Sequence, residues 1–296
     1  MLMDRAHFIK AISLLPLTLN TMKLNDLKNI TDDFKSSDLM PVLFTGHGSP
    51  MNGIEDNEFT EYWKKLGNEI AKPTAVLCIS AHWLTKGTKI TAMTAPKTIH
   101  DFGGFPQALF DVQYPAPGDP TLAQETASLI KSTHVGLDHE WGLDHGTWSV
   151  VRQMYPEANI PVLQLSIDYG KPAAYHYALA KELAGLRKKG VLIIGSGNMI
   201  HNLRMIAWDK AQLPEYGFDW AIELNAKFKE LILNGNHEPI INYQHFGIAG
   251  QYAIPTPDHY YPLLYSLGLQ NSKEQAAIFN DKAVMGSLTM TSVRIG

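Results

Sequence analysis

The sequence predicts an α/β fold: a single domain with a central, mostly parallel or mixed sheet flanked by helices. Three observations carry this reading. Apolar runs of strand length recur at Val42-Leu43-Phe44, Ala75-Val76-Leu77-Cys78-Ile79-Ser80 and Val191-Leu192-Ile193-Ile194, each halted by a turn. Between the first two lies a helical spacing of Phe59, Tyr62, Trp63, Leu66 and Ile70, so those strands read as a parallel βαβ unit. The 296 residues are 45% hydrophobic and show no compositional break, which favours one large core over two small ones.

Residues 1–38 stand apart. Asp4 to Lys10 is polar and mildly basic, and Ala11 to Leu19 is a short apolar run broken by Pro16. With one arginine before the run and no small-x-small cleavage site after it, the segment reads as an N-terminal arm or a degenerate leader. The expected compartment is cytoplasmic, or periplasmic if this segment directs export. The folded domain is expected over 39–296.

The first strand ends in Thr45-Gly46-His47-Gly48-Ser49-Pro50, where flanking glycines free the backbone to aim His47 off the end of the sheet. Lys72-Pro73 stops the helix that follows, and the second strand runs into Ala81-His82-Trp83. Lys89 to Met93 reads as a short strand; the glycine- and proline-rich stretches 100–106 and 114–120 form a long excursion of the kind that carries binding function. Pro120 to Ile130 has Ala123, Ala127 and Ile130 on one helical face. After Asp144-His145-Gly146-Thr147-Trp148 comes an amphipathic helix with Val151 and Met154, stopped near Pro156, then a buried strand from Pro161 to Ile167. Pro172 to Leu186 reads as a helix followed by Arg187, Lys188 and Lys189, as the macrodipole favours. Beyond the third run and its Gly195-Ser196-Gly197-Asn198 turn, Trp220 to Leu233 and Tyr260 to Leu267 read as helices. Met285 to Val293 alternates as a closing edge strand does.

A net charge of -4, with no basic stripe, argues against nucleic acid or an anionic membrane surface as partner. No run approaches the roughly 20 apolar residues of a bilayer span. A small molecule is the expected partner. The single cysteine, Cys78, sits inside an apolar strand and reads as a packing residue. Rossmann and P-loop spacings are absent, and Ser49 and Ser196 lack the G-x-S-x-G elbow of a serine nucleophile.

The histidines are the candidate chemistry. His47 and His82 end strands, His201 follows one by a short turn, and His145 and His259 lie beside glycine- or proline-containing turns. Ligands of open α/β sheets bind outside the carboxyl ends of the strands, so these imidazoles are expected to converge on a mononuclear metal site. His7, His134, His139, His176, His237 and His245 lie on polar or helical segments and read as solvated or capping; His100 is intermediate. Trp83, Phe102, Phe105, Phe110, Tyr114, Trp141 and Trp148 read as core filling, with those in the loops able to wall a pocket for a flat substrate.

Six linked stretches carry a resemblance: 43–52, 80–83, 99–106, 144–148, 197–202 and 255–260. Together they resemble the class III extradiol ring-cleavage dioxygenases of the 4,5-DOPA dioxygenase type, over about residues 41 to 296. The resemblance implies a fold similar to the protocatechuate 4,5-dioxygenase β subunit and a non-haem metal held by His47, His82 and His259, with His201 at or beside it. It implies Fe(II) for turnover, a catechol such as DOPA and O2 as substrates, and His145 near the metal. Proton transfer is assigned to His201 first and His145 second. An all-histidine set also suits Zn(II), so the alternatives are a zinc-dependent hydrolase using the same site and a non-catalytic zinc-binding protein.

Overall fold

The three apolar runs form the middle of a six-stranded mixed sheet in the computed structural model, which describes residues 39–296. The expected arm or leader lies outside the described residues. The strands are β1 (Val42–Gly46), β2 (Ala75–Ser80), β3 (Val162–Gln164), β4 (Val191–Gly197), β5 (Ala276–Phe279) and β6 (Ser292–Ile295), in the spatial order β5-β6-β1-β4-β2-β3. β1, β4, β2 and β3 are parallel, whereas β6 runs antiparallel to both β1 and β5. The closing strand expected at Met285 to Val293 lies later, at Ser292–Ile295, and is not an edge: β5, unforeseen in the sequence, covers its outer side.

Side chains alternate between two cores, as the pleat requires. Val42, Phe44, Leu77, Ile79 and Ile193 face one; Leu43, Val76, Cys78, Leu192 and Ile194 face the other. Helices α1 (Glu58–Glu69) and α3 (His145–Met154) supply Trp63, Leu66, Trp148 and Val151 to the second core. Helices α2 (Pro120–Leu129), α4 (Ala173–Glu182), α5 (Asp219–Leu233) and α6 (Tyr261–Gly268) feed the first. None of the described helices is long and apolar enough to cross a membrane.

α1 starts where it does because Asn57 accepts from the N–H groups of Phe59 and Thr60, while the Thr60 hydroxyl oxygen accepts from the Asn57 N–H. At α3, Asp144 caps the Thr147 N–H and fixes His145 as the first helical residue. His176 and His237, read from sequence as solvated or capping, are instead buried, at 0% and 8% exposure. Tyrosine hydroxyls meet their Nδ1 atoms, Tyr265 at His176 and Tyr177 at His237.

Two features place the site. Register brings Gly46 opposite Gly197 and Ser80 opposite Ser196, so β1, β2 and β4 end at one level. At that level β4 is bare: a Cβ on Gly195 would lie 2.3 Å from the Pro262 carbonyl oxygen, and one on Gly197 2.1 Å from that of His259. The chain entering α6 rests directly on the strand backbone, and the Asn198 N–H donates to the His259 C=O at 2.9 Å. Separately, a short parallel ladder pairs residues 97–98 with 142–143 and is extended by the Ile99 N–H donating to Leu143 O. It lays the loop after Thr98 beside the start of α3.

Candidate metal centre

His47 follows β1 directly and its N–H donates to Gly197 O at 3.0 Å; the Ala81 N–H donates to Ser196 O at 2.9 Å, which fixes the turn bearing His82. β4 thus positions both. Their Nε2 atoms lie 3.1 Å apart. His145, at the start of α3, stands 3.8 Å from His82 ring to ring, and His259 stands 5.3 Å from His47 and 5.0 Å from His82. His201, whose N–H donates to Ala253 O, lies flat on His259 at 3.6 Å with 6° between the rings. All five histidines singled out in the sequence are therefore assembled at one end of the sheet. His100 lies aside, its Nε2 meeting Val112 O at 3.0 Å.

Ligand atoms of His47, His82 and His145 lie within 4.8 Å of one another, and so do those of His201, Asp258 and His259. Four of the five rings have Nδ1 engaged. His47 Nδ1 meets Ser196 Oγ at 3.0 Å, His82 Nδ1 meets Asp101 Oδ2 at 3.2 Å, His145 Nδ1 meets Asp101 Oδ1 at 3.0 Å, and His259 Nδ1 meets Asp258 Oδ2 at 2.5 Å. Neutral imidazole with one nitrogen held by an acceptor and the other free is the state in which histidine binds a metal.

Hydrogen-bond counting fixes where one of these protons sits. The one Ser196 hydroxyl proton goes to Gly146 O, at 2.5 Å, so at His47 the serine oxygen accepts and Nδ1 donates. His82 Nδ1 stands 3.2 Å from the Asp101 carboxylate, an ion-pair contact whose negative charge favours a proton on Nδ1. His47 Nε2 then carries an unshared pair facing His82 Nε2 across 3.1 Å, a distance at which one ring can donate to the other when no cation is bound. Donors so spaced also suit neighbouring ligands on one ion with bonds of roughly 2.0–2.1 Å. The donor set fits a transition metal.

The electrostatics agree. Burial, reinforced by the neighbouring imidazoles, lowers His47 and His82 well below the usual histidine range and keeps both neutral. Burial, with His259 adjoining, brings His201 down to about 3. Burial alone would raise Asp101 and Asp258, but the hydrogen bonds from His145 and His259 outweigh it; Asp101 falls to about 2 and Asp258 lower still. Asp144, wholly buried behind His145, is raised by burial and the Asp101 charge, against hydrogen bonds from Ser80 and Gln164.

Sequence reasoning missed Ser196, Asp101 and Asp258 as site residues. A signal existed for Asp144, a capping residue just before a helix bearing a site histidine. None existed for Asp101, a loop residue outside any periodic pattern. Of the aromatics, Trp83, Tyr114 and Trp148 are buried as core. Phe102 is half-buried and packs T-shaped against the His145 ring, 5.6 Å between centroids.

The profile of the family described as "Catalytic LigB subunit of aromatic ring-opening dioxygenase" matches residues 41–295. The chain is 49% identical to the 4,5-DOPA dioxygenase extradiol of Escherichia coli (strain K12), over 90% of this chain and 98% of that protein. It is 35% identical to the 4,5-DOPA dioxygenase extradiol of Beta vulgaris, over 85% of this chain and 96% of that one. The crystal structure of an uncharacterized Escherichia coli K12 protein superposes with a TM-score of 0.75 at 42% identity, covering 87% of this chain and all of the other.

Proposed function

Because the chain belongs to the family of the catalytic LigB subunit of aromatic ring-opening dioxygenases, we propose that it opens the ring of a catechol such as DOPA with O2. The observation that carries a metal-dependent reading is the convergence of the ligand atoms of His47, His82 and His145, all within 4.8 Å of one another, with the His259 ring 5.0 Å from that of His82. His47, His82 and His259 would hold the metal, with His201 beside it, Fe(II) for turnover and Zn(II) the alternative occupant. Such an ion supplies the means to bring an ionised catechol and O2 together and to pass electron density from ring to oxygen.

The rest falls to the chain. His201 would accept a proton from a catechol hydroxyl, and its stacking on His259 keeps it at the edge of the ligand group. His145 serves at Nε2, since its Nδ1 is committed to Asp101. Returning a proton to the departing oxygen is the step suited to that atom. Phe102 gives the substrate ring an apolar neighbour, and His47, His145 and His259 are buried, which limits the access of bulk water to that side of the site.

The test is anaerobic loading of the metal-free protein with Fe(II), addition of DOPA under air, and measurement of O2 uptake with appearance of a yellow product. Uptake in step with product supports the reading. No uptake with DOPA or with other catechols, despite bound iron, refutes it. Turnover of ester or amide substrates by the zinc-loaded protein would support the hydrolase instead.

A further inference from the structure

Asp101 stands between two histidines to which different tasks fall. Its Oδ2 lies 3.2 Å from His82 Nδ1, and its Oδ1 lies 3.0 Å from both the backbone N and Nδ1 of His145. One carboxylate therefore takes two donors from the first turn of α3 and stands in ion-pair contact with a ring nitrogen from the turn after β2. We propose that Asp101 is a positioning residue that sets the proton of both imidazoles on Nδ1, so that a single side chain presents the His82 lone pair for metal and the His145 Nε2 for proton transfer. The inference deepens the function proposed above and rests on it for what those two nitrogens do.

The geometry favours this over a mere anchor for the loop. The loop is already held at its base by the 97–98 ladder and by the Trp148 Nε1–H donating to Ile99 O at 2.9 Å. Beyond Asp101, Gly103 and Gly104 are exposed with open space around them, so packing on that side does not place the carboxylate. What fixes it is the set of imidazole and backbone donors, and what it fixes in return is their tautomers. Asp101 also carries Phe102, so the residue that orients the His145 ring is joined to the one that packs against it.

Asparagine at 101 makes the proposal testable, because it keeps the shape and replaces one acceptor by a donor. The backbone N–H of His145 can only donate, so the amide oxygen stays on that side and the NH2 turns to His82. His82 Nδ1 must then accept, and its proton moves to Nε2, the atom needed for metal. For Asp101→Asn we expect zinc affinity, measured by competition with a chromophoric chelator, to fall about 10–100-fold. Histidine 15N spectra of the metal-free protein should show His82 changing from the Nδ1–H to the Nε2–H form while His145 keeps its own. Asp101→Glu should recover part of the affinity. An affinity within about threefold of the unaltered protein, with every tautomer unchanged, would overturn the proposal and leave Asp101 a loop anchor.

Should the variant not fold, the unaltered metal-free protein decides: His82 and His145 must both carry the proton on Nδ1, and either one found with Nε2–H overturns the inference. These readouts use zinc and the metal-free chain. Failure of iron and DOPA to consume O2 would sink the proposed function without altering them.

Discussion

Replacing Ser196 by alanine removes one hydroxyl from a wholly buried position and changes little else in shape. The Gly146 C=O lies inside α3 and keeps its helical partner, so it loses only a second hydrogen bond. The larger effect falls on His47, whose Nδ1–H is left without an acceptor where water does not reach. A buried donor left unpaired costs about 1–3 kcal/mol. His47 can escape the upper part of that range by moving its proton to Nε2 and donating to His82 Nε2, 3.1 Å away. Urea unfolding of the metal-free Ser196→Ala protein at neutral pH should therefore show a loss of only about 1–2 kcal/mol, with an unchanged m-value. The rearranged proton then lies between the two Nε2 atoms and must return to Nδ1 before a metal enters, a shift within the ring that releases no proton. Zinc affinity should fall about 10–100-fold. Unchanged affinity, with His47 still in the Nδ1–H form in histidine 15N spectra of the metal-free variant, would refute the tautomer assignment.

Three further outcomes follow from other parts of the molecule. His201→Gln should retain nearly all the metal and lower turnover about 10²–10⁴-fold, as loss of a general acid or base does; metal loss in proportion to activity would make His201 a ligand instead. Arg187, 2% exposed, donates to Met40 O and Leu269 O and pairs with Glu274, so Arg187→Ala should cost about 3–5 kcal/mol in urea unfolding. A loss below about 1 kcal/mol would show that Glu274 and the two carbonyls find other partners. Burial lowers His176 from 6.5 to about 4, so the unfolded chain binds the extra proton first as pH falls, and stability is lost between those two values. The loss should reach about 3 kcal/mol and be absent from His176→Gln; parallel stability-pH profiles would overturn it.

The parallel core of the sheet was legible because β1, β2 and β4 are apolar on both faces and end at glycine or polar turns, a signal that needs no tertiary information. The same signal located His47, His82 and His201. The antiparallel half was less legible: Ala276–Phe279 is four residues long, and nothing local says that it will lie outside Ser292–Ile295. The burial of His176 and His237 was hidden because their partners, Tyr265 and Tyr177, come from elsewhere in the chain and satisfy groups that sequence alone assigns to water. Asp101 and Ser196 escaped for a related reason. Their importance lies in which imidazole nitrogen they face, a matter of register and ladder pairing that residue type does not announce.

The bare stretch of β4 at Gly195 and Gly197 has a consequence for the order in which the protein is made. His47 and His82 belong to the first strands synthesised, whereas His259 arrives on a segment that docks by its own carbonyl oxygens against a strand without side chains. A nascent chain that has emerged only as far as β4 carries His47, His82 and His145 but lacks His259. The proposed ligand set is therefore complete only when the last third of the polypeptide has closed over the sheet, and a substitution at Gly197 that pushed α6 outward would move His259 without touching those other rings.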